Sequence, residues 1–160
     1  MTHSVKDEQL IKQILASAKT IAMVGVSSVK KKETPIIKRR PSIIVMKYLQ
    51  EFGYRVIPIN PSSAGKVAYG ETIVAKLKDV NIPVDIVNVF RPSKETPMIA
   101  EQAVKIGAKV IWLQYGIQNQ KAQEIAKSAN IIYIANKCIK QEYQRLFLKV
   151  SPVFPALRTQ

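Results

Sequence analysis

The chain has 160 residues, 47% of them hydrophobic, which suits one domain with a full core and is too short for two. Twenty-five lysines and arginines against 11 acidic residues give a net charge of +14, a field that favours anionic partners, although a lysine-rich solvated surface explains the same excess. The longest apolar runs, IAMVGV and SIIVM, fall far short of the roughly 20 residues of a membrane-spanning helix, and the lone Cys138 excludes an intrachain disulfide and a cysteine-based zinc site.

The polar leader MTHSVKDEQ lacks the apolar centre of a signal peptide. With the single cysteine, this leads us to expect a soluble, cytoplasmic protein with no membrane partner. Asp7–Ser17 places Leu10, Ile11, Ile14 and Leu15 at helical spacing. Thr20–Val26 is a buried-strand run. Pro41 suits the first turn of a helix over Pro41–Phe52, whose Ile44, Val45, Tyr48, Leu49 and Phe52 share a face, and Gly53 is placed to end it. Tyr54–Ile59 reads as a strand, Ile73–Lys78 as a short helix and Val84–Phe90 as a strand. Ser93 is expected to cap a helix running to about Ile106, with Gly107 ending it. Lys109–Leu113 is a strand, Asn119 caps a helix to about Ala129, Ile131–Ile134 is a strand and Ile139–Leu148 the last helix. The core thus spans about residues 10–148 of one domain, and 151–160, with two prolines, reads as an arm over the surface.

Continuous apolar strands alternating with helices imply a Rossmann-like, three-layer α/β/α fold around a parallel sheet of about five strands. In such sheets ligands bind beyond the carboxyl ends of the strands, at the point where the strand order reverses. That rule selects the residues to inspect. The first strand ends in Gly25-Val26-Ser27-Ser28. Gly25 permits a tight turn and a phosphate approach, but only the first glycine of a dinucleotide fingerprint is present. Ser27 reads equally as a phosphate donor and as an ordinary turn serine. The second strand ends in Asn60-Pro61, where an NAD site would place a carboxylate for the ribose hydroxyls. A neutral Asn60 instead tolerates a ribose phosphate, as in coenzyme A or NADP; Asn-Pro is also simply a good turn. Arg91, after Phe90, lies where the sheet edge meets a helix start and is suited to pair with phosphate or with a nearby carboxylate. Gln114 and Gly116 follow the fourth strand. The basic cluster Lys30–Lys32 and Lys38–Arg40 falls in the loop after the first strand, as phosphate ligands or as solvated lysines.

Taken together, IAMVGVS, RRPSIIVMKYLQEFGYRVIPINP, VDIVNVFRPS, VIWLQYGIQN and NKCIKQEY, in this order, resemble the CoA-binding domain family, whose fold is also the N-terminal domain of the succinyl-CoA synthetase α subunit. The resemblance covers about residues 10–148. It implies a site for coenzyme A or an acyl-CoA made by Gly25, Ser27 and Ser28 at the first turn, Arg40 and Ser42 at the following helix, Asn60 and Pro61 at the second turn, and Phe90, Arg91, Gln114, Gly116 and Ile117 at later edges. The chain departs from the family in the length of its first loop, where Val29–Lys38 is a basic insertion.

Catalysis has little support in the residues. The one histidine, His3, stands in the polar leader, so neither a phosphohistidine, a Ser-His-Asp arrangement nor a metal site can be built on the spacing. Cys138, beside Lys137 at a predicted helix start, is either a thiol close to the bound ligand or a buried structural cysteine. The expectation is therefore non-catalytic binding of coenzyme A or an acyl-CoA, in a regulatory role or as partner to an enzyme. The alternatives are an NAD(P)-linked oxidoreductase on the same fold and a charge-driven nucleic-acid binder, the latter without any recognisable nucleic-acid motif.

Overall fold

The computed structural model describes residues 5–26 and 41–149 of the chain. Within them run α1 (Val5–Ser17), β1 (Thr20–Val24), α2 (Pro41–Glu51) and β2 (Arg55–Ile59). A small pair, β3 (Val67–Ala68) and β4 (Glu71–Thr72), follows, and then β5 (Ile86–Val89), α3 (Thr96–Lys105), β6 (Val110–Leu113), α4 (Gln120–Ser128), β7 (Ile132–Ile134) and α5 (Ile139–Tyr143). The main sheet is parallel throughout, in the order β2-β1-β5-β6-β7. This is the expected Rossmann-like α/β architecture.

Strand alternation explains the three layers, because successive side chains leave opposite faces of the sheet. Ile21, Met23, Ile86, Val110 and Trp112 pack with Leu15 of α1, Met46 and Leu49 of α2, and Ile139 of α5. Ala22, Val87, Val89, Ile111 and Leu113 pack with Ile99, Ala100 and Ala103 of α3 and Ala122 and Ala126 of α4. Each fully buried large apolar side chain contributes about 1.5–3 kcal/mol relative to exposure. Trp112 is wholly buried and still satisfied, since its indole N–H donates to the Lys137 carbonyl at 2.8 Å.

Asn119 caps α4 as expected, its side chain accepting from the Ala122 N–H at 3.0 Å. Three expectations are corrected. Residues 73–78 do not form a helix. The β-branched Thr72, Ile73 and Val74 favour extended backbone, and β2 is an edge strand with groups to satisfy. Val74 therefore lies along β2, its N–H donating to the Pro58 carbonyl and its carbonyl accepting from the Asn60 N–H, both at 2.9 Å. Helical backbone is confined to a 3₁₀ turn, Leu77–Asp79. Ser93 does not cap a helix: it opens a 3₁₀ turn before α3, its hydroxyl oxygen accepts from the Gln118 N–H at 3.2 Å, and the Thr96 hydroxyl donates to its carbonyl at 2.6 Å. The last helix is α-helical only to Tyr143 and continues as a π turn over Gln144–Leu148.

Candidate functional site

Crossovers leave β1 toward β2 on one side, while β5, β6 and β7 are added on the other, so the strand order reverses between β1 and β5. Parallel register brings Val24, Ile59 and Val89 level at the carboxyl edge. A cavity of about 470 Å³ opens there, within the range of small-molecule sites. Its walls come from the ends of β1 and β2 with the turn that follows β2, the segment Ala75–Leu77, Arg91 after β5, Glu95 just before α3, and Met98, Ile99 and Gln102 of α3.

Gly25 is required at the end of β1. Its φ is +96°, and a Cβ there would lie 2.8 Å from the Phe90 carbonyl oxygen and 2.9 Å from Arg91 Cδ. Only a glycine lets the β1 and β5 turns approach this closely. The turns are also bonded together, the Gly25 N–H donating to the Ile59 carbonyl at 2.9 Å and the Phe90 N–H to the Val24 carbonyl at 2.8 Å. Asn60 stitches the same edge. Its Nδ2 donates to the Val26 carbonyl at 2.7 Å and its Oδ1 accepts from the Ser62 N–H at 2.9 Å, which caps the 3₁₀ turn begun by Pro61.

Arg91 takes the carboxylate alternative raised by its position. Its Nη2 and Nε donate to the two carboxylate oxygens of Glu95, at 2.9 and 3.2 Å. The charged groups lining the cavity are Arg91, Glu95 and Lys76, so the excess charge of the described wall is one positive unit. Val24, Ile59, Leu77, Met98 and Ile99 supply an apolar surface beside it. This combination of a cation, hydrogen-bonding groups and apolar walls fits a phosphorylated ligand with a flat or aliphatic part. Among the described residues no group of three or more His, Cys, Asp or Glu could hold a metal ion.

Gly25, Asn60, Pro61 and Arg91 thus come together around one cavity. Gln114, Gly116 and Ile117 do not line it. Gln114 is buried, and its Oε1 accepts from Asn88 Nδ2 and from the Ile139 N–H, both at 3.0 Å. The Gly116 N–H donates to Asn136 Oδ1 at 2.7 Å, and the Ile117 carbonyl accepts from the Asn136 N–H at 3.0 Å. These residues join the β6–α4 and β7–α5 turns. Ser42 is buried in the first turn of α2, and half-buried Phe90 packs against the core shared by α1, α2 and α5. Ser27, Ser28 and Arg40, with the loop Val29–Lys38, lie outside the described residues. Sequence reasoning missed Lys76, Glu95 and Gln102. The four-residue spacing of Arg91 and Glu95 was a legible signal for their pairing.

Residues 19–144 match the sequence profile of the family described as CoA binding domain. The uncharacterized protein YneT of Bacillus subtilis (strain 168) is 39% identical over 130 residues, which span 81% of this chain and 89% of YneT. Two solved structures are also similar. One, from Thermus thermophilus, is 36% identical with a TM-score of 0.79, covering 88% of this chain and 98% of that one. The other, a hypothetical protein from Pyrococcus horikoshii OT3, is 36% identical with a TM-score of 0.78, covering 91% and 97%.

Proposed function

The chain belongs to the CoA-binding domain family, and from that premise we propose that it binds coenzyme A or an acyl-CoA at the carboxyl edge of its sheet without transforming it. The observation that carries the reading is the cavity at the strand-order reversal, with the single excess positive charge of its described residues beside an apolar wall. The phosphates would lie toward the cations and the first turn. The apolar wall formed by Leu77, Met98 and Ile99 would take the adenine or an acyl chain. Gly25 and Asn60 would shape the floor.

A binding role without chemistry rests on the side chains at hand: the one histidine is His3, and among the described residues the cavity wall supplies no histidine or cysteine to act as base or nucleophile. Such a protein would present or sequester its ligand for a partner enzyme, or report its level. The lone Cys138, which has no disulfide partner within the chain, supports a reducing, cytoplasmic setting for this activity. Isothermal titration of the full chain with coenzyme A, acetyl-CoA, NADP and a DNA duplex tests the reading. Saturable one-site binding of coenzyme A is expected, with native mass spectrometry of freshly purified protein identifying any carried ligand. Binding of NADP but not coenzyme A would instead favour the oxidoreductase reading. Tight nucleic-acid binding that persists at physiological salt, without coenzyme A binding, would favour the charge-driven one.

A further inference from the structure

The three charged groups among the described residues of the cavity are not equivalent. Arg91 is held by Glu95 through two hydrogen bonds, so the pair is close to neutral. Among the described residues, the Lys76 ammonium has neither an ion pair nor a hydrogen bond. Its backbone, by contrast, is fixed. Val74, two residues earlier, is bonded to the β2 edge on both sides. The Lys76 carbonyl accepts from the Asp79 N–H at 3.0 Å. Leu77, next in the chain, is 1% exposed and anchored in the core. The result is a cation on a rigid base, facing a cavity, with its charge uncommitted.

We propose that Lys76 determines the specificity of this site: its ammonium pairs with a phosphate monoester on the ligand. A lysine suits that group, being a compact point charge with three donors that can turn toward a dianion. The proposal rests on the coenzyme A reading, since coenzyme A carries such a monoester on its ribose and dephospho-CoA lacks it. Lys76 is then the residue that separates the two. The Arg91–Glu95 pair, having little net charge, contributes to both ligands alike.

The test is isothermal titration of the full chain and two variants, Lys76→Met and Glu95→Gln, with coenzyme A and dephospho-CoA. Lys76 is exposed at the rim, so its variant should keep the wild-type melting temperature. That is checked first, with the fluorescence of the buried Trp112. The wild type should prefer coenzyme A by about tenfold or more, the ratio expected for one charge-assisted contact. Lys76→Met should lose that preference by weakening coenzyme A alone. Glu95→Gln, which leaves Arg91 without its carboxylate, should tighten both ligands and keep their ratio. If Lys76→Met weakens both ligands equally, or changes neither, the proposal is overturned while the coenzyme A reading stands. If the wild type binds no coenzyme A, both fall together.

Discussion

Replacing Gly25 by alanine separates two costs that usually arrive together. At φ +96° an L-residue pays backbone strain, about 1–2 kcal/mol. The added methyl would also sit 2.8 Å from the Phe90 carbonyl oxygen. That oxygen cannot easily retreat, because the Phe90 N–H is bonded to the Val24 carbonyl at 2.8 Å and holds the β5 turn against β1. Overpacking of this kind costs a further ~1–3 kcal/mol. Gly116→Ala is the control. Its φ is +85°, yet nothing lies within 4 Å of the added Cβ, so it pays strain alone. For a chain of this size one kcal/mol moves the melting temperature by about 3 °C. Gly116→Ala should therefore lose about 3–6 °C and Gly25→Ala roughly 6–15 °C. Urea denaturation followed by Trp112 fluorescence should place Gly25→Ala about 1–3 kcal/mol below Gly116→Ala. Equal losses in the two variants would refute the claimed close approach of the β1 and β5 turns.

Three other perturbations read different parts of the molecule. Asn60→Ala removes the bonds to Val26 and Ser62 and should cost about 1–3 kcal/mol in urea denaturation; an unchanged midpoint would mean that Asn60 does not hold the edge. At the opposite end of the sheet, burial pushes the Asp85 carboxyl up, but the N–H donors of Lys19 and Thr20 and the Lys109 ammonium outweigh it and hold it below the usual carboxylate range. Its folded value being depressed, Asp85 stabilises the fold above its unfolded value near pH 4 and loses that contribution as pH falls through the folded one. Asp85→Asn should thus be less stable at neutral pH, with the gap to wild type closing in acid; a gap constant from pH 7 to pH 2 contradicts this. Burial, with Tyr143 adding to it, pushes the Tyr54 hydroxyl up to about 12. A raised value stabilises below the unfolded value and is lost as pH rises, so wild-type stability should decline between about pH 10 and 12 more steeply than that of Tyr54→Phe, in which the raised Tyr48 and Tyr133 still contribute, as measured by denaturation across that range.

The strands were legible because each is a continuous apolar run, and the helices because their apolar residues recur at helical spacing. The turns were legible through Gly25, Asn60-Pro61 and Gly116, residue types that backbone geometry selects. What could not be read depends on contacts distant in sequence. The extended path of Thr72–Val74 exists because β2 has a free edge to cover, a fact of strand order and not of local propensity. The acceptor role of the Ser93 hydroxyl requires Gln118, which the fold brings across from the next loop. Lys76 carried no signal at all. It is one lysine among many in the chain, and only the placement of residues 75–77 beside the β2 turn brings it to the cavity.

The polar residues at the strand ends share a property that sharpens how such motifs should be read. Asn60 bonds the β1 turn, Arg91 bonds Glu95, Gln114 bonds β5 and α5, and Gly116 bonds Asn136. All but Arg91, whose partner lies four residues on in the same segment, tie their turn to another part of the chain. A buried or turn-bound polar group left without a partner costs ~1–3 kcal/mol, so residues that build an edge are constrained by the edge itself, whatever it binds. This accounts for why their ordered set identifies the fold and the family so well. It also means that discrimination between related ligands is better sought in side chains the scaffold does not need. Among the described residues around this cavity the uncommitted cation is Lys76, and the specificity of the site should follow that side chain more closely than any residue of the strand-end motifs.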